Sequence, residues 1–89
     1  MPLEEDIRAR FGRRLRELRR ERGLSQEELA FRAGLHRTYV SSVERGERNV
    51  ALINIERLAR ALEIDMCDLF PRTPDPNWRW ETPTCKSAD

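Results

Sequence analysis

The 89-residue chain holds two cysteines and a single histidine, and these scarcities remove whole classes of function. Cys67 and Cys85 stand eighteen residues apart with no CxxC pair. His36 is remote from both, so neither a zinc site nor a disulfide framework is indicated, and no metal or other cofactor is expected. Nothing beside His36 offers a nucleophile or a carboxylate partner, so no catalytic residues and no enzyme are expected. No apolar run reaches the roughly 20 residues that span a bilayer. The opening PLEEDIRARF lacks the apolar core of a secretory signal. The expectation is a cytoplasmic protein with reduced thiols and no membrane partner.

A chain of this length allows one domain. It buries a smaller fraction of its surface than a large protein does, so its stability is expected to be modest unless it dimerises. Net charge is only +1, but its distribution is uneven. Residues 7–49 hold twelve arginines against six glutamates, and the remainder carries an acidic excess of five. A basic half on a near-neutral chain suggests one face made for a polyanion.

The most informative stretch runs from Gln26 to Arg45, QEELAFRAGLHRTYVSSVER. Leu29 and Ala33 repeat at i, i+4, and Val40 and Val43 at i, i+3, so two short helices each present one narrow apolar face. Ala30 is small where the helices must cross, Gly34 tolerates the positive φ of a sharp turn, and Leu35 fills the corner. The outward side of the second helix carries Arg37, Thr38, Tyr39, Ser41, Ser42 and Arg45, with no acid before Glu44. A solvated face normally mixes both signs. A helix entering the DNA major groove needs slim hydrogen-bonding side chains and cations near its N-terminus.

The flanking sequence supplies three more helices. The first is expected from Glu4 or Glu5 to Glu21, with Ile7, Phe11, Leu15 and Leu18 as its apolar stripe and its many arginines mostly solvated; Gly23 closes it. Ser25 and Glu28 form a capping box for the second helix, and His36 caps the third. A fourth, about Leu52 to Leu62, turns Leu52, Ile55, Leu58, Ala59 and Leu62 inward. Asp65 caps a short fifth, DMCDLF, which Pro71 ends. The fold class is therefore all-α: residues 1–71 form a five-helix domain, and 72–89 a proline-rich tail carrying Trp78 and Trp80.

Residues 11–70, through FGRRLRELRRERGLSQEELAFRAGLHRTYVSSVERGERN and NIERLARALEI, resemble the lambda-repressor-like helix-turn-helix family. The run HRTYVSSVERGERN is most similar to controller proteins of restriction-modification systems, which regulate their own promoter and that of the endonuclease. The resemblance implies a sequence-specific transcriptional regulator whose partner is double-stranded DNA. Of the four base-reading residues, Arg37 would read guanine O6 and N7, Thr38 and Ser42 would contact adjacent base edges, and Tyr39 would pack near the backbone or against a thymine methyl. Gln26, His36, Arg45, Arg48 and Asn49 would hold phosphates. It also implies a structural ion pair between Arg19 and Glu44. Glu27 matches an activating patch that would touch RNA polymerase; an ordinary solvated glutamate is the competing reading.

One recognition helix covers too few base pairs to specify an operator, so a homodimer on a palindrome is expected. The basic first three helices must face DNA. Ile53, Met66, Leu69 and Phe70 are then the apolar residues left for the dimer interface. The competing function, of another class, is an antitoxin that binds a toxin through the tryptophan-bearing tail and also regulates its own promoter.

Overall fold

The computed structural model describes residues 6–70; Glu4, Glu5, Cys85 and the expected tail with Trp78 and Trp80 lie outside them. Five helices follow in order: α1 (Ile7–Glu21), α2 (Gln26–Ala33), α3 (Arg37–Glu44), α4 (Leu52–Leu62) and α5 (Met66–Leu69). There is no strand among the described residues. The packed pairs α1–α3, α3–α2, α2–α4, α4–α5 and α5–α1 close a circuit. Leu15, Leu29, Val40, Leu58 and Leu62 are fully enclosed by it.

Local chemistry sets most helix ends. The Asp6 carboxylate accepts from Arg8 N at 2.8 Å and so begins α1. Arg8's guanidinium also donates to it, and these hydrogen bonds lower the Asp6 pKa to about 2. At α2 both halves of the capping box form: Ser25 Oγ accepts from Glu28 N at 3.0 Å, and Glu28 Oε1 from Ser25 N at 2.8 Å. Gly34 takes φ +72° and ends the helix. Asp65 occupies the N-cap position of α5, but its side chain makes no capping hydrogen bond.

Two glycines let α1 cross the end of α3 backbone to backbone. A Cβ on Gly12 would lie 2.4 Å from the Val43 carbonyl oxygen and 2.7 Å from that of Glu44. A Cβ on Gly46, whose φ is +77°, would lie 2.9 Å from Ala9 Cα. Arginines tie the far side to main-chain acceptors. Arg22 Nε donates to the Leu62 carbonyl at 2.6 Å, satisfying the C-terminus of α4, and Arg14 Nε to that of Asp68 at 3.1 Å.

Three apolar residues depart from the sequence reading. Ile7 is half exposed: the chain leaving α3 packs onto Ala9 at that level, so the buried stripe starts at Phe11. Leu52 is 73% exposed; it falls on the inward stripe by spacing, yet as the first residue of α4 it lies beyond the edge of the core. Leu69 is fully buried, which corrects its assignment to the dimer interface. A one-turn helix wedged between α1 and α4 has a single inward direction, and Leu69 takes it.

Candidate nucleic-acid interface

The outward face of α3 holds Arg37, Thr38, Ser41 and Arg45, none of them buried. His36 anchors its start, Nδ1 accepting from Thr38 N at 3.2 Å while the Thr38 hydroxyl oxygen lies 2.8 Å from the same nitrogen. The side chains of His36 and Thr38 thus hold each other over the first turn. Arg37 and Thr38 project beside the positive end of the helix dipole, where anionic or acceptor groups bind favourably.

The opposite face is fixed by a buried carboxylate. Glu44 is fully enclosed; Arg19 Nε donates to its Oε2 at 2.7 Å and Arg19 Nη2 to its Oε1 at 3.1 Å. Gln26 Nε2 adds a bond to Oε1 at 2.9 Å, and Arg16 Nε stands 3.8 Å away. Arg19 itself spends Nη1 on the Leu24 carbonyl at 2.8 Å. One carboxylate therefore joins α1, the N-terminus of α2 and the C-terminus of α3, and so sets the angle at which α3 is presented.

Of the four residues assigned to base reading, Arg37 and Thr38 are exposed and Tyr39 is partly so. Ser42 is not available, which corrects its assignment. It is buried, donating from Oγ to the Tyr39 carbonyl at 2.8 Å and accepting from Arg48 Nε at 3.0 Å. The loop after α3 folds back over it, Glu47 N donating to the Ser42 carbonyl at 3.0 Å. Ser41, named on the outward side without a role, shares the exposed face instead.

The five residues assigned to phosphates occupy three places. Gln26 sits at the first turn of α2 with its side chain turned to Glu44, leaving backbone N–H groups as the donors there. His36 and Arg45 bracket α3. Arg45 donates to Glu47 through Nε and Nη2, both at 3.1 Å, and its Nη1 bonds Ser41 Oγ. The Arg45 hydrogen bonds pull the Glu47 carboxyl below the ordinary glutamate range. Arg48 and Asn49 are exposed in the loop, with the Arg48 guanidinium 5.5 Å from the Tyr39 ring centroid. Asn54 in α4, which sequence reasoning passed over, donates from Nδ2 to the Tyr39 hydroxyl at 3.1 Å. The only signal for it was a polar residue in an otherwise apolar first turn.

Away from this face, Glu27 is exposed one turn before Phe31, which is 85% exposed. Ile53 and Phe70 are 57% and 44% exposed, and Met66 is partly buried against the core. Phe70 meets Phe11 with ring centroids 5.8 Å apart. Among the described residues no cluster of His, Cys, Asp or Glu could hold a metal ion, and no helix is long and apolar enough to cross a membrane.

Comparison with known proteins adds sequence and shape. Residues 15–69 match the family model described as helix-turn-helix. Over 72 residues the chain is 46% identical to control protein C.BamHI of Bacillus amyloliquefaciens, covering 80% of this chain and 89% of that one. The crystal structure of the restriction-modification controller protein C.AhdI from Aeromonas hydrophila is 60% identical, with a TM-score of 0.70 over 71% of this chain and 96% of that one. The controller protein C.Esp1396I, solved as a tetramer in complex with its natural 35 base-pair operator, is 32% identical. Its TM-score is 0.65, over 70% of this chain and 82% of that one.

Proposed function

The chain belongs to the helix-turn-helix family, among its restriction-modification control proteins, and from that premise we propose a cytoplasmic transcriptional regulator that binds a palindromic operator as a dimer. The observation that carries this is the exposed face of α3, which combines Arg37, Thr38, Ser41 and Arg45 on a helix held by the buried Glu44. Arg37 reads a base, with guanine O6 and N7 as its natural bidentate partner, and Thr38 and Tyr39 lie against neighbouring edges. The N-terminus of α2 at Gln26, with His36, Arg45, Arg48 and Asn49, holds phosphates and fixes the register.

In this reading Leu52, Ile53 and Phe70 form the exposed apolar face that two copies bury against each other, with Met66 at its edge. Half-sites then lie about 10–10.5 base pairs apart or a multiple of that. Footprinting on DNA upstream of the chain's own coding sequence should protect such a palindrome. In a binding-site selection, Arg37→Ala should lose preference at one base pair per half-site, worth about 1–3 kcal/mol, with little change on random DNA. An unprotected upstream region, or unaltered selectivity in the variant, would sink the proposal.

Glu27 and Phe31 form an acidic and aromatic ledge on α2, outside the face assigned to DNA. It suits a basic, partly apolar segment of RNA polymerase. Glu27→Lys should leave operator affinity within about twofold, since a single rim charge contributes little, while lowering transcription from the adjacent promoter in a reconstituted assay. Equal transcription by the two proteins would make Glu27 a solvated surface residue.

A further inference from the structure

Tyr39 is the only tyrosine in the chain, and three neighbours fix it at the edge of α3. Ser42 Oγ donates to its carbonyl at 2.8 Å, and Ser42 also holds Arg48 in place, whose guanidinium lies 5.5 Å from the Tyr39 ring centroid. Asn54 Nδ2, from the first turn of α4, donates to the phenol oxygen at 3.1 Å. That last bond sets a polarity. A phenol has one proton to give and an oxygen that accepts. With the acceptor side occupied by the Asn54 amide, the hydroxyl hydrogen is left to be donated elsewhere.

We propose that Asn54 is a specificity-determining positioning residue: by donating to Tyr39 it aims the phenol and makes its hydroxyl a hydrogen-bond donor toward DNA. The inference rests on the reading of α3 as the base-reading helix. A donor in the major groove selects purine N7, guanine O6 or thymine O4, and is refused by the exocyclic amines of adenine and cytosine. A phosphate oxygen offers the same acceptor chemistry, but it would carry no base preference. Asn54 need not touch DNA. It acts through Tyr39, across the junction between the reading helix and α4.

The test is a double-mutant cycle on the full chain with Asn54→Ala and Tyr39→Phe. It is read by affinity for the selected operator, affinity for a random duplex, and base preference in a binding-site selection. Each single variant should bind the operator about fivefold more weakly, the usual worth of one neutral hydrogen bond, and both should relax the same base pair. The double variant should lose no more than Tyr39→Phe alone. Asn54→Asp, which is isosteric but can only accept, should relax that base pair too. Its added negative charge is measured separately in the Tyr39→Phe background.

Additive losses in the cycle would overturn the proposal, as would an Asn54→Asp variant that keeps the base preference, because the amide carbonyl would then face the phenol. Equal losses on operator and random duplex would put the hydroxyl on a phosphate and overturn the base assignment. A wild-type chain that selects no sequence would remove the reading of α3 itself. A wild-type chain that selects an operator, with Asn54 variants selecting the same one equally well, would remove only the role of Asn54.

Discussion

Glu44→Ala should lower the unfolding free energy by about 3–5 kcal/mol, the usual consequence of removing one partner of a buried ion pair. For a domain of this size that corresponds to a fall in melting temperature of more than about 10 °C. The Glu44 side chain is wholly enclosed and Arg19 nearly so, so the discount for solvent screening that applies to surface pairs does not apply here. Once the carboxylate is gone, Arg19 keeps only the Leu24 carbonyl, and Gln26 loses its partner. The remaining guanidinium must either stay buried with its charge uncompensated or drag α1 away from α3 to reach water. Both routes are costly for a chain whose whole stability is of the order of 5–15 kcal/mol. Glu44→Gln keeps the shape and one acceptor oxygen and should fall between the two. Thermal melts followed by circular dichroism decide the matter: a midpoint within a few degrees of wild type for Glu44→Ala would mean that the pair is energetically idle.

What the sequence made legible was local or periodic. The Ser25–Glu28 capping box, the left-handed Gly34 and the alternation that buries Leu29, Ala33, Val40 and Val43 all depend on residues within a few positions of one another. Each can be read from spacing alone. The outward position of Arg37 and Thr38 follows from the same period. Ser42 fails for a reason that periodicity cannot express. It lies four residues after Thr38, so a helical projection puts the two on one face. Yet the loop carrying Glu47 and Arg48 folds back and covers only the later turn.

Leu52 and Ile7 fail at helix ends, where a stripe continues by spacing after the neighbouring element has stopped. Leu69 lies in a helix too short to have a period. The arginines of α1 show the same limit from the charged side. As a run they look like a solvated face. Arg14, Arg19 and Arg22 nevertheless each find an acceptor far away in sequence, at Asp68, Glu44 and Leu62.

Gly12→Ala should be as damaging as the loss of Glu44, although by propensity alone it ought to help. Glycine inside a helix costs roughly 0.5–1 kcal/mol relative to alanine, so an exposed Gly12 would gain that much on substitution. Here the new methyl would sit 2.4 Å from the Val43 carbonyl oxygen and 2.9 Å from the Glu44 carbonyl carbon. These are backbone atoms, which cannot swing aside as a flexible side chain would. Overpacking costs about 1–3 kcal/mol where neighbours can adjust and more where they cannot, so strain should outweigh the propensity gain.

Relief requires α1 and the end of α3 to separate, which lengthens the Arg19–Glu44 bonds and tilts the face carrying Arg37 and Thr38. Gly12→Ala should therefore lower both the melting temperature and the operator affinity, and Gly12→Val should do so more severely. Gly23→Ala is the contrast: a Cβ there meets nothing within 4 Å, so its cost is limited to the positive φ, about 1–2 kcal/mol. A Gly12→Ala protein that melted at or above the wild-type temperature would show that the two backbones are not held at this separation.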